Sequence, residues 1–60
     1  MSFILTEYKV LQDKIFMMDR GSGDYPFIDD RLDILWIQLS IDEMELARLH
    51  WRELWIEKIL

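Results

Sequence analysis

The stretch LSIDEMELARLHWRELW, Leu39 to Trp55, combines a helix start with apolar residues on two sides of one helix. Within it, the hydroxyl of Ser40 can accept a hydrogen bond from the backbone N–H of Glu43, while the Glu43 carboxylate accepts one from the N–H of Ser40. This reciprocal pair is a capping box, and Leu39 and Met44 stand where a hydrophobic staple places two apolar residues. The stretch therefore predicts a helix that begins directly after Ser40.

We expect this helix to extend over residues 41–60. On a helical wheel with about 100° per residue, its broad apolar face contains Ile41, Met44, Ala47, Trp51, Leu54, Trp55 and Ile59. A second, nearly opposite apolar face contains Leu46, Leu49, Ile56 and Leu60. A helix that is apolar on two sides requires neighbours on two sides.

Apolar residues at alternating spacings of four and three predict a first helix over residues 3–20. The stripe consists of Ile4, Tyr8, Leu11, Ile15 and Met18. Polar residues, Gln12 among them, are predicted to lie outside this stripe. Gly21 and Gly23 follow, and we expect a glycine here to adopt the left-handed conformation that caps many helix C-termini.

A second, shorter helix is predicted over residues 29–39. Asp29 or Asp30 is suited to the N-cap position, where a carboxylate also interacts favourably with the positive end of the helix. Pro26 disfavours helical backbone in the residue before it, so we expect the preceding segment to be a turn. A continuous helix through Ser40 is the alternative.

The predicted fold is all-α, a helical hairpin or small three-helix unit formed by residues 1–60 as one domain. The helix over 3–20 is expected to pack antiparallel to the helix over 41–60, with the short helix between them. The chain has no cysteine and one histidine, so neither disulfides nor a cysteine- or histidine-rich metal site can stabilise a single copy. A chain of 60 residues buries only about 60% of its unfolded surface, which favours a homodimer or higher oligomer assembling into a helical bundle.

Large apolar residues of the second half are the expected interface of that oligomer. They are Trp36, Met44, Leu49, Trp51, Trp55, Ile56 and Ile59. Tryptophan is enriched among the residues that dominate binding energy at interfaces. The alternative is that the tryptophan rings pack inside the core of one copy.

The net charge is −5, and its acidic part is concentrated between residues 24 and 45, which contain seven carboxylates and a single arginine. The carboxylates are Asp24, Asp29, Asp30, Asp33, Asp42, Glu43 and Glu45. This balance argues against nucleic acid as a ligand, because nucleic-acid-binding proteins present a basic patch. The acidic residues could bind a protein with a basic surface, imitate nucleic acid to block a host protein, or serve solubility and helix capping.

Residues His50, Glu53 and Glu57 form the one candidate for metal binding or acid–base chemistry, since they share a helix face. A salt-bridged surface histidine is the simpler interpretation. We therefore predict no enzyme activity, no metal and no cofactor. The sequence has no signal-peptide pattern and no apolar run long enough to span a bilayer, which predicts a cytoplasmic protein without membrane contact.

Residues 32–52, LDILWIQLSIDEMELARLHWR, resemble short uncharacterised reading frames of phages and bacteria that carry the pattern L-D-x-L-W-x-x-L-S-x-x-E. The matching positions are Leu32, Asp33, Leu35, Trp36, Leu39, Ser40 and Glu43. The resemblance implies a small phage or bacterial accessory protein and brings no activity or site residue with it. Taken together, the sequence predicts a non-enzymatic helical protein–protein interaction or adaptor protein that acts as a homo-oligomer. A phage-type acidic inhibitor or nucleic-acid mimic, acting through the 24–45 surface, is the alternative function.

Overall fold

A computed structural model describes residues 2–59, which form three α-helices and contain no strand. The helices are α1 (Phe3–Met17), α2 (Tyr25–Trp36) and α3 (Ile41–Ile59). The predicted all-α three-helix unit is confirmed. The expected extension of α3 to Leu60 lies outside the described residues.

The end of α1 lies three residues earlier than predicted, at Met17. Met18 has extended backbone angles, φ −89° and ψ 142°, and no glycine among residues 2–59 adopts a positive φ. The predicted left-handed glycine cap is therefore wrong. Instead, the Asp19 carboxylate accepts a hydrogen bond of 3.2 Å from the N–H of Gly21, and such a local side-chain bond stabilises a turn in competition with a helix.

The bounds of α2 also differ from the prediction, because the helix begins at Tyr25. Pro26 lies in its first turn, where the missing N–H of proline costs nothing and its fixed φ suits a helix. Asp24 occupies the N-cap position without a side-chain capping bond, so the prediction of Asp29 or Asp30 as the cap is wrong. The helix ends at Trp36 rather than at residue 39, and a break before α3 excludes one continuous helix.

α1 packs against both other helices. α2 runs antiparallel to α1, and α3 runs parallel to it. The chain turns back after α1, so that Leu39, just past the end of α2, packs beside Leu5 at the start of α1. α3 then begins near the start of α1 and ends near its end, where Trp55 contacts Phe16. The predicted antiparallel pairing of the first and last helices is therefore wrong: they run in the same direction. The 12 residues of α2 span about 18 Å at 1.5 Å per residue, which carries the chain back to the start of α1.

The core is centred where α1 meets α3. Leu5, Leu39 and Ala47 are buried together, with Ile4, Tyr8, Trp36 and Met44 partly buried around them. The other buried side chains of the described residues are Gln12, Ile15, Leu32 and Leu35. Ala47 is the one fully buried residue of α3 among those described, and its small side chain allows α1 to approach closely.

A large share of the apolar side chains remains outside this small core. The molecule is flat, with principal extents of 31 × 29 × 14 Å. Among residues 2–59, the exposed large apolar side chains are Phe3, Val10, Met17, Phe27, Ile34, Ile37, Ile41, Leu46, Leu49, Trp55, Ile56 and Ile59. These side chains are distributed over all three helices and the segment that follows α2.

Replacing Ala47 by leucine should destabilise the fold, because the larger side chain has no space between α1 and α3. We expect a loss of about 1–3 kcal/mol in the free energy of unfolding, measured by urea denaturation at low protein concentration. Glu45→Leu is the control, since it adds the same side chain at an exposed position of α3 and should change stability by less than about 0.5 kcal/mol. Equal effects of the two substitutions would contradict the close contact at Ala47.

Candidate functional site

The outer face of α3 presents three half-exposed apolar side chains to solvent, and the charged Arg52 and Glu53 separate the second of them from the third. Leu46, Leu49 and Ile56 are 48%, 52% and 45% exposed, respectively. Leu49 and Ile56 lie on the side of α3 opposite to Ala47, and Leu46 lies about 100° from Ala47 around the helix. Leu60, assigned to the same face, lies outside the described residues. We call the three described residues the outer α3 face.

The residues predicted as an oligomer interface do not share one surface. Trp36 and Met44 pack against the buried cluster of the core. Trp51 meets the Phe16 ring edge-on at 5.6 Å between centroids. These three side chains therefore contribute to the fold of one copy, as in the core-packing alternative for the tryptophans.

The remaining members of that predicted interface are exposed. Trp55 is half-exposed, although its ring lies edge-on to that of Phe16 at 5.2 Å. Ile59 is exposed near the end of α3. Leu49 and Ile56 belong to the outer α3 face, and Ile59 is a neighbour of both Ile56 and Trp55 on the helix surface, since it follows them by three and four residues.

The predicted capping box at Ser40 is present, and it connects two helix starts. The Glu43 carboxylate accepts a hydrogen bond of 2.9 Å from the N–H of Ser40, and the N–H of Glu43 donates to the Ser40 hydroxyl at 3.3 Å. The other Glu43 oxygen accepts a hydrogen bond from the hydroxyl of Ser2. Ser2 in turn caps α1, because its hydroxyl accepts from the N–H of Leu5 at 3.1 Å. Hydrogen bonds from Ser2 and then from Ser40 hold the pKa of Glu43 below its ordinary value.

The seven carboxylates of residues 24–45 do not form one surface, because they lie in helix caps, at separate exposed positions and in a cleft. Glu43 belongs to the two helix caps, and Asp42 lies with it in the first turn of α3, where negative charge is favourable. Asp24 precedes α2, and Asp30 and Glu45 are exposed. The other two, Asp29 and Asp33, line a cleft.

This cleft, the α2–α3 cleft, lies on α1 where α2 and α3 diverge, and it has a volume of about 630 Å³. Its floor is formed by Tyr8, Gln12 and Ile15 of α1, and its walls by Tyr25, Asp29, Leu32, Asp33 and Trp36 of α2 and by Arg48 and Trp51 of α3. Mostly apolar and aromatic walls with a few polar groups are typical of ligand sites.

Gln12 is the unusual residue of the cleft floor, because it is only 5% exposed. Its Nε2 donates a hydrogen bond of 3.1 Å to the backbone carbonyl of Ala47. Its Oε1 is buried and has no hydrogen-bond partner among residues 2–59. Leaving a buried acceptor unpaired costs about 1–3 kcal/mol, so this oxygen lowers the stability of the fold unless a donor reaches it.

Negative charge dominates one wall of the cleft. Burial raises the pKa of the Tyr8 hydroxyl, and the carboxylates of Asp33 and Asp29 raise it further. Neither aspartate is in a salt bridge within residues 2–59. Arg48 belongs to the opposite wall, formed by α3, and its guanidinium carbon lies 5.8 Å from the centre of the Trp36 ring in the α2 wall.

His50 is directed toward α1 rather than toward the carboxylates of its own helix. Its Nε2 lies 2.7 Å from a carboxylate oxygen of Asp13. Within residues 2–59, no group of three histidine, cysteine or acidic residues is arranged to hold a metal ion. The contact joins α1 to α3 and thereby adds to their parallel pairing.

Sequence reasoning missed both the cleft and the position of Gln12, which was expected outside the apolar stripe of α1. One signal was available: Gln12 follows Leu5 by seven residues, and residues seven apart share a helix face. Because Leu5 is buried, Gln12 is buried with it.

Comparison with protein-family models, curated proteins and solved structures gave no match. The resemblance to phage and bacterial reading frames therefore stays a prediction. Of the helices described, none has the length and apolar character required to cross a membrane. Any function proposed for this chain must therefore be argued from its own surfaces.

Removing the Glu43 charge should change how stability depends on pH. The pKa of Glu43 is lowered in the folded protein, so its contribution to stability is present above the unfolded pKa and is lost as the pH falls through the folded pKa. At neutral pH we expect Glu43→Gln to be less stable than the unmodified protein, and the difference should shrink at acidic pH. Thermal unfolding from pH 7 down to about pH 3 measures this. A difference independent of pH would contradict the double capping role.

Proposed function

We propose that this protein is a non-enzymatic protein–protein interaction protein that self-associates through the outer α3 face. The observation that supports the proposal is the exposure of Leu46, Leu49 and Ile56 along the same side of α3. Trp36 and Trp51 are only partly exposed and pack within one copy, which shifts the proposed contact away from these two tryptophans toward the outer α3 face.

A second copy of the chain is the simplest partner for the outer α3 face. In a two-fold dimer the same patch is used twice, so a stripe of three residues per chain becomes a shared core of six. Chains below about 70–80 residues rarely obtain sufficient stability from one core. The small buried cluster around Leu5 and Ala47 places this chain in that class.

The polar residues beside the stripe are compatible with a two-fold pair. Glu53 interrupts the stripe between Leu49 and Ile56, and Arg52 directly precedes it. In an antiparallel helix pair, Arg52 of each copy can approach Glu53 of the other. Charges at the edge of such a contact select orientation more than they add affinity.

A basic protein is the second candidate partner, through the acidic residues that are not used for capping. Asp24, Asp30 and Glu45 are exposed and have no salt bridge within residues 2–59. Their distribution over α2 and α3 favours attraction of a basic surface over imitation of nucleic acid, which would require a regular row of charges.

Leu49→Glu should dissociate the oligomer, because it places a carboxylate in the centre of the outer α3 face. We expect the unmodified protein to show a mass above that of the monomer in sedimentation equilibrium over about 1–100 μM. In Leu49→Glu the dissociation constant should rise by about tenfold or more, which corresponds to about 1.4 kcal/mol.

Ile37→Glu is the control, since Ile37 is also a large apolar residue and is even more exposed than Leu49 (78% against 52%), but it follows α2. It should leave the mass unchanged. Trp55→Glu is a less selective test, because it also removes the contact with Phe16. A monomeric mass for the unmodified protein at every concentration would refute self-association.

A further inference from the structure

The α2–α3 cleft combines two carboxylates, aromatic rings and a buried unpaired amide oxygen. We propose that it binds a guanidinium or ammonium group carried on an apolar stem, as found in arginine and lysine side chains and in small alkyl amines. This site is separate from the outer α3 face and does not depend on self-association.

The charge of the α2 wall favours a cation. Asp29 and Asp33 are four residues apart on α2 and both line the cleft. Like charges at this spacing destabilise a helix, and no salt bridge within residues 2–59 offsets them. A cationic group between the two carboxylates removes this repulsion and gains two charge-assisted hydrogen bonds. The same wall disfavours an anionic ligand.

The rings of Tyr8, Trp36 and Trp51 provide the second element of a cation site. A cation is attracted to the face of an aromatic ring, and most strongly to tryptophan. Arg48 of this chain already lies over the Trp36 ring at 5.8 Å, which shows that a guanidinium fits against this wall. The positive charge of Arg48 directs a second cation away from it, toward Asp29 and Asp33.

Gln12 provides the third element of the cation site. Neither helix capping nor solubility explains why this polar side chain is buried. Gln12 lines the floor, and its Nε2 is fixed by the bond to Ala47. Its Oε1 therefore remains an acceptor without a donor among residues 2–59. Guanidinium and ammonium groups consist only of donors. Because the oxygen is covered, the side chains around the floor must adjust when a head group reaches it.

Titration with three probes tests the proposal. The probes are agmatine, acetyl-Gly-Arg-Gly-amide, and the same peptide with uncharged norleucine in place of arginine. The indole N–H signals of the three tryptophans report binding in ¹⁵N NMR spectra. Trp36 and Trp51 line the cleft and Trp55 does not, but the Trp55 ring lies 6.4 Å from that of Trp51, so its signal should respond less than theirs.

We expect the Trp36 and Trp51 signals to shift with a dissociation constant on the order of millimolar for so small a ligand, and the Trp55 signal to shift less. The norleucine peptide should cause no shift. Binding by agmatine alone would assign the site to small free amines, and binding by the arginine peptide would assign it to a protein side chain. Absence of shifts with both cations, or equal shifts with norleucine, would overturn the proposal.

Charge-removing variants separate loss of binding from loss of folding. Asp29→Asn and Asp33→Asn should each weaken binding by about tenfold, and their thermal stability should stay the same or rise because the repulsion within α2 is reduced. Asp30→Asn is the matched control, since it removes the same charge from α2 outside the cleft. If Asp30→Asn weakened cation binding equally, general electrostatic attraction would account for the binding, and the proposal of a site in the cleft would be overturned.

Gln12→Met tests the floor with a side chain of similar length and no amide. It should fold, since it removes the unpaired oxygen together with the bond to Ala47, and it should bind the cations more weakly than the unmodified protein. Binding of unmodified strength in a folded Gln12→Met protein would overturn the placement of the head group on the cleft floor.

Discussion

The close contact between α1 and α3 at Ala47 determines the arrangement of the other elements. Ala47 is completely buried, and its backbone carbonyl accepts a hydrogen bond from the amide of Gln12. A methyl group at this position lets the two helix backbones approach, and the amide bond fixes their register. With α1 held against α3, α2 can pack only on the remaining side of α1. α2 and α3 therefore diverge from each other on α1, and the α2–α3 cleft lies between them.

The same contact explains why so much apolar surface stays exposed. α3 touches α1 along a narrow strip whose centre is a small residue, so the side chains on its far side, such as Leu49 and Ile56, have nothing to cover them. The helix starts are fixed independently, by the hydrogen bonds that Glu43 makes with Ser40 and Ser2. Capping and one tight helix contact therefore maintain the fold, and the large apolar residues outside it are available for association.

The sequence predicted helix boundaries correctly where they depend on interactions between residues close in sequence. The capping box at Ser40 placed the start of α3 correctly, because all of its partners lie within three residues. The bounds of α2 were missed because Pro26 suits both a turn and the first turn of a helix. The end of α1 was missed because Asp19, not a glycine, forms the turn that follows it.

Helix direction and the cleft could not be obtained from periodicity. A hydrophobic stripe shows which face of a helix is covered but not by which partner, so the parallel pairing of α1 and α3 depends on contacts between distant residues such as Phe16 and Trp55. Gln12 illustrates the same point. A polar residue beside an apolar stripe is usually solvated, and the Ala47 carbonyl, which is distant in sequence, satisfies only the Nε2 of the buried Gln12 amide.

The two surfaces on α3 can act without interfering with each other. Arg48 and Trp51 face the cleft, whereas Leu49 and Ile56 lie on the outer face. An isologous dimer formed through the outer face would therefore leave both clefts open, one per copy. A ligand with two cationic groups could then engage both copies at once, and its second binding step would be intramolecular. Self-association would in this way raise the avidity of a site that is weak in each copy.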